Sequence, residues 1–342
     1  MRENNPTLKQ WQELYGTFLR VKEIEPWRWM EEIDIFGVQD PESGEIGFVS
    51  VMGTLGEHYA VAVYLGQEGL YGFWGFQEME PDFPAEHLME VPQIQASLEN
   101  RKFLDEEDRE VIRNLGLTFR GKQAWPLFRS YRPGFVPWSL EAEEARFLTH
   151  ALEQTIDVAL RFKEDESLLM MPDEETYLVR VPLKKKRGLV WEDRMVRVSP
   201  PEPYQIPVEV DSETLDALTR LPAKKTSLEV DLFMFPSMVW ESSSRPFYTY
   251  ILLVVDGHTG QILGHDPLIA DPSMEAMWGL IPGLVAKHLL KLGFLPQEIK
   301  VRSELMHTLL STFVEELGVK LNPTRNLRKL DTARKAMLEE FS

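Results

Sequence analysis

The sequence predicts an α+β chain of at least two domains, and three observations carry that prediction. Apolar residues near the N-terminus recur at helical spacing. Strand-like runs joined by Gly- and Pro-containing turns follow. The last third reads as three strands in hairpin order and then alternates helix with strand, which implies a mixed sheet covered by helices. With 342 residues, the chain has room for roughly two or three domains of about 100–200 residues each and needs no covalent staple to fold.

Leu8, Trp11, Tyr15, Phe18 and Val21 stand three or four residues apart, predicting an amphipathic helix over 8–24. Pro26 opens a new segment, and proline suits a first helical turn. Gln39–Gly44 reads as a turn, and Ile46–Met52 and His58–Leu65 as paired strands joined at Gly53–Gly56. The second is apolar on both faces near Ala60–Val63, as a central strand is. Residues 77–92 read as an acidic loop, 93–115 as a helix ending at Gly116, and 117–138 as irregular. Ser139 is placed to cap a long helix to about Phe162.

The polar stretch 163–175 suggests a boundary. Strands are then expected at Tyr177–Pro182, Leu189–Val198 and Ile206–Val210, with a short helix at Ser212–Leu221. The last third reads as strands Leu228–Phe235, Phe247–Val255 and Gln261–Leu268, helix Met274–Leu292, strand Ile299–Val301, helix Glu304–Leu317, strand Val319–Asn322 and helix Asn326–Phe341. The expected organisation is an N-terminal α+β domain over 1–165, a β-rich connecting segment over 166–225, and a C-terminal α/β module with a mixed sheet over 226–342.

Composition removes several chemistries. The absence of cysteine excludes a thiol nucleophile, a disulfide framework and cysteine-ligated zinc. The seven histidines (His58, His87, His150, His258, His265, His288 and His307) show no zinc-type spacing, so no metal ligand set is read. No P-loop, dinucleotide fingerprint or nucleophile elbow occurs, and no cofactor is expected. The start of the chain lacks the basic and apolar regions of a signal peptide, and no apolar run approaches the roughly 20 residues that span a bilayer, so the expectation is a cytoplasmic protein without a membrane partner. The formal net charge is −18, which disfavours non-specific contact with polyanions. Residues 1–100 hold 18 acidic and 5 basic side chains, a net of −13, so a polyanion site belongs beyond residue 100.

The runs Asp34-Ile35-Phe36-Gly37-Val38-Gln39-Asp40-Pro41, Val51-Met52-Gly53 and Val63-Tyr64-Leu65-Gly66-Gln67-Glu68-Gly69-Leu70 resemble an uncharacterised bacterial family in which one domain of unknown function precedes another. The resemblance implies no activity. A second resemblance covers about 226–342. Val230-Asp231 on a strand, then Val254-Val255-Asp256-Gly257-His258-Thr259-Gly260 at a hairpin, resemble the ribonuclease H-like fold of integrase-type cores. That resemblance implies clustered carboxylates holding two Mg²⁺ ions. Asp231, Glu304 and Asp331 are the candidates, but Ser303 stands where the second catalytic Asp is expected. A one-residue step along a strand turns a side chain to the other face, which separates Glu304 from such a site.

The most unusual local composition lies between Val111 and Leu140, where no acidic residue occurs. Arg120, Lys122, Arg129 and Arg132 alternate there with Trp125, Phe128, Tyr131 and Trp138. Cations that grip phosphates beside aromatic faces that stack bases suit single-stranded nucleic acid. The competing reading packs the aromatics on the core and pairs the arginines with carboxylates. Lys184–Gly188 reads as a solvated hairpin tip, and Gly56-Glu57-His58 as a turn leading into a strand, with a paired acid and base as its alternative. The sequence assigns no function. Its leading reading is a non-catalytic interaction or regulatory protein with a protein partner. The alternative is a nucleic-acid binder or divalent-metal nuclease, the one case in which Mg²⁺ enters.

Overall fold

A computed structural model describes residues 4–78, 89–186, 188–202, 206, 210–240 and 245–340. His87, Arg187, Phe341 and most of the loop at 77–92 and of the strand expected at Ile206–Val210 lie outside them. The chain forms two compact units: residues 1–133 with 137–202, and 134–136 with 203–342. The expected connecting segment divides between them, 166–202 in the first and 203–225 in the second.

The first unit is built on a seven-stranded sheet ordered β5-β4-β3-β2-β1-β6-β7. Its strands are β1 (Phe36–Gln39), β2 (Ile46–Met52), β3 (Tyr59–Leu65), β4 (Gln93–Glu99), β5 (Trp125–Tyr131), β6 (Thr176–Lys185) and β7 (Gly188–Arg197). All neighbours are antiparallel except β1 and β6, which run parallel. Helix α1 (Leu8–Ile24) starts in a capping box between Thr7 and Gln10 and packs with α4 (Ala142–Glu164) on one face of the sheet. Phe18, Leu148 and Leu152 are fully buried there among Val49, Val61 and Ile94, each contributing about 1.5–3 kcal/mol by leaving water. α2 (Gly66–Gln77) lies against β2 and β3 and buries Leu70 and Phe73 with Phe48 and Tyr64. α3 (Glu106–Asn114) is capped by Asp105.

Three sequence expectations fail here, the first being the cap of α4, which is Glu141 in a capping box with Glu144 rather than Ser139. Residues 93–115 are a strand and a separate helix, because Gln93, Gln95, Ser97 and Glu99 alternate with Ile94, Ala96 and Leu98, a period of two that outweighs their helix propensity. Within the supposedly irregular 117–138, Trp125–Tyr131 is a strand in register with β4.

The second unit carries a five-stranded sheet ordered β10-β9-β8-β11-β12. β8 (Ala223–Val239), β9 (Phe247–Asp256) and β10 (Ile262–Leu268) form an antiparallel meander, and β11 (Leu295–Val301) and β12 (Lys320–Pro323) continue it in parallel with β8. α5 (Ser212–Thr219), α7 (Ile281–Leu292) and α8 (Glu304–Glu316) cover one face, and α9 (Arg328–Glu340) covers β8 and β9 on the other. The single helix expected over Met274–Leu292 is divided into α6 (Met274–Gly279) and α7, with Pro282 in the first turn of α7. Both units combine helices with mixed or antiparallel sheet, so the chain is α+β. No helix among the described residues is long and apolar enough to cross a membrane.

Candidate functional site

Strand alternation divides β8 between two environments. Leu228, Val230 and Leu232 face α7 and α8. Phe233 and Phe235 lie under Leu330 and Ala333 of α9, and Glu229 and Asp231 share that face by parity. Asp231 is 5% exposed. Its Oδ2 stands 3.2 Å from Arg302 Nε, and Arg302 Nη2 donates to Asp331 Oδ1 on α9. Burial pushes the Asp231 carboxyl up to about 6, against the pull of Arg302 and the Leu232 N–H. Glu229 is also buried, and its Oε2 accepts from the N–H groups of Lys329 (3.0 Å) and Leu330 (2.8 Å). A carboxylate from the sheet therefore satisfies two orphan donors at the positive end of α9.

The turn between β11 and α8 explains what happens at the missing Asp. Ser303 caps α8, its Oγ accepting from the Met306 N–H at 3.1 Å. Arg302, just before it, reaches Asp231 and Asp331, while Glu304, just after it, is solvent-exposed in the first turn of α8. Of the three candidate carboxylates, Asp231 and Asp331 meet on one guanidinium and Glu304 does not join them. The donor set does not suit a pair of Mg²⁺ ions, since a fixed cation already occupies the space between the two carboxylates. Among the described residues, no three acidic or histidine side chains are grouped to hold a metal. Asp256 caps its own turn, accepting from the N–H groups of His258 (3.0 Å) and Thr259 (2.7 Å). Those bonds hold its carboxyl below the usual range.

The basic–aromatic segment is distributed along β5 and its flanks. Arg129 pairs with Asp105 and Asp108 at the start of α3, and Arg132 with Glu141 and Glu144 at the start of α4. Trp125 is half-buried, its ring 5.8 Å from that of Phe119, and Trp138 is held by two backbone hydrogen bonds to Ser130. Tyr131 donates its hydroxyl to Gln95 Oε1. Arg120 and Lys122 are exposed.

Residues 11–180 match the model of a domain of unknown function (DUF7309), and residues 214–338 match that of another (DUF6930). The chain is a fusion of these two domains of unknown function. No curated protein matches it.

In the DUF7309 domain, Glu57 and His58 do not pair with each other. His58 Nδ1 is 3.4 Å from Glu99, and its Nε2 is 3.0 Å from Gln95 Nε2. The Glu57 carbonyl accepts from Gln123 Nε2. His58 borders a shallow cleft of about 430 Å³ lined by Glu31, Glu32, Met52, Thr54 and Glu57. With both ring nitrogens engaged, the histidine is a structural link between β3 and β4. In the DUF6930 domain, sequence reasoning missed Glu229 and Arg302. The signal for Glu229 was its place two residues before Asp231, on the same face of one strand. Nothing in sequence marks Arg302 as the clamp, because its partners lie 71 and 29 residues away in the chain.

Proposed function

We propose that this is a non-catalytic interaction or regulatory protein of the cytoplasm, whose second domain is a ribonuclease H-like core used as a scaffold. The observation that carries the reading is the Arg302 clamp on Asp231 and Asp331. A meander followed by two parallel strands, each entered from a helix, supports the ribonuclease H-like assignment. The capped Ser303, the outward Glu304 and the docked Glu229 support loss of metal chemistry. Pairing of Arg129 and Arg132 with carboxylates favours a protein partner over a nucleic acid. Exposed Met238 and Val239 at the far end of β8 are surface of the kind a protein partner covers.

Calorimetric titration of Mg²⁺ and Mn²⁺ into the wild type and Asp231→Asn tests the reading, with and without a single-stranded oligonucleotide. The expected result is no saturable binding at millimolar metal in either protein. Saturable binding by the wild type that Asp231→Asn abolishes would overturn it and restore the nuclease alternative.

A further inference from the structure

β7 is the last strand of the seven-stranded order and, among the described residues, pairs with β6 alone. The direction of its backbone groups follows from one bond. Val198 N–H donates to Glu175 C=O at 2.8 Å, and in an antiparallel pair such contacts recur at every second residue. Val190, Glu192, Arg194 and Val196 therefore bond to β6, while the N–H and C=O groups of Leu189, Trp191, Asp193, Met195 and Arg197 point out from the sheet. Pro182 agrees with this parity: it stands opposite Trp191, at a wide pair where no N–H toward β7 is needed.

Folded proteins blunt such edges with proline, bulges, very short strands or charged side chains, and of these β7 carries only the charges, two of each sign. β7 has no proline, runs ten residues, and keeps unbroken register with β6 from Arg197 to Gly188. Leu189, Val190 and Met195 are 37%, 43% and 52% exposed.

The side chains specify what fits this edge. An antiparallel partner related by a two-fold axis through Asp193 brings the same outward residues into register, Leu189 with Arg197 and Trp191 with Met195, so every outward donor meets an outward acceptor. On the opposite face, Val190 meets Val196, and the Glu192–Arg194 ion pair within each strand faces its symmetry mate with opposite charges apposed, Glu192 to Arg194, twice over. Moving the axis by one residue sets Glu192 against Glu192 or Arg194 against Arg194, and a half-residue shift opposes outward groups to inward ones. The one like-charge contact, Asp193 with its symmetry mate, falls where each carboxylate is held at 2.5 Å by both Arg161 and Arg180. The strip also carries two acidic and two basic residues, a neutral line on a chain of net charge −18 where two like molecules can approach.

We propose that β7 is a homodimer interface: two copies pair their β7 edges antiparallel about Asp193, joining two seven-stranded sheets into one. The inference stands on the first domain and is independent of the scaffold reading of the second.

Sedimentation equilibrium of the full chain tests association, and single cysteines test the register cleanly because the chain has none of its own. Glu192 and Arg194 of two copies form a wide pair with Cα atoms about 4.5 Å apart, within disulfide reach, whereas two Glu192 positions stand about 8 Å apart, beyond it. Mixed Glu192→Cys and Arg194→Cys proteins should give a disulfide dimer on oxidation, and neither alone should. Glu192→Arg should weaken the dimer about tenfold, and Glu192→Arg with Arg194→Glu should restore it, both with wild-type circular dichroism. A monomer at 100 μM, a dimer indifferent to Glu192→Arg, or cross-linking by either cysteine variant alone would overturn the proposal. So would a β7 edge that is filled by a heterologous peptide and leaves the protein monomeric.

Discussion

Asp193 in the first domain and Asp231 in the second both face arginine, yet their carboxyls move in opposite directions. Asp193 receives hydrogen bonds from Arg161 and then Arg180, and these hold it below the usual range although burial opposes them. Asp231 stands beside Arg302, whose nearest nitrogen makes no aligned hydrogen bond to it, and burial under α9 wins over the pull of Arg302, the Leu232 N–H and the more weakly acting Arg334. The side chain of Asp193 keeps about a third of its surface in water, and that of Asp231 less than a tenth. An acid–arginine contact is thus not one kind of interaction. Its sign depends on how many donors are aligned and how much water is lost.

The largest effect expected from this contrast is at Arg180, which is buried and bridges Gln154, Asp157 and Asp193. Arg180→Met should cost about 3 kcal/mol or more in urea unfolding at pH 7, since it strands buried polar partners. A cost below about 1 kcal/mol would break the claim that this cluster holds α4 to the sheet.

Next comes the pH dependence of Asp231→Asn. A carboxyl raised in the folded state stabilises the fold most below its unfolded value near 3.8, and that contribution is lost as pH rises through about 6. Relative to Asp231→Asn, the wild type should therefore lose up to about 3 kcal/mol between pH 4 and pH 7. Asp193→Asn should show the reverse slope, because a depressed carboxyl stabilises above its ordinary pKa and loses that contribution on acidification. Matching slopes for the two variants would dissolve the comparison. The smallest effect is at Glu229. Glu229→Gln keeps an acceptor for α9 but removes the charge at the helix start, costing about 1 kcal/mol, read as lower amide protection in α9.

The second sheet was the more legible in sequence. Apolar β9 and the Asp256–Gly260 turn are local signals, and each strand of the meander is adjacent in sequence to its partner. β4 was lost because Gln, Ala, Leu and Glu are helix formers, and only their alternation betrays a strand. β5 was hidden by a composition rich in proline and arginine. The site was legible as types and not as geometry: Asp231 and Asp331 were identified as candidates, but their meeting on Arg302 needs the sheet to form first. For Arg129 of β5 and Arg132 just after it, sequence offered both phosphate contact and carboxylate pairing, and only the fold brings the partners at Asp108 and Glu144 into view.

The parallel contact between β1 and β6 has a kinetic consequence. It pairs Gly37 with Val179 and Val38 with Arg180, and among the described residues it alone joins the meander β1–β5 to the hairpin β6–β7 within the sheet. The hairpins on either side close over short loops, whereas this seam closes a loop of about 140 residues, a far less frequent encounter in an unfolded chain. Folding of the first domain should wait on that encounter. Gly37 sits at the closing point, where an added Cβ would stand 2.8 Å from Val179 Cγ2. A larger side chain there should slow the chain's search for its native sheet, the strand pairs on both sides having already formed.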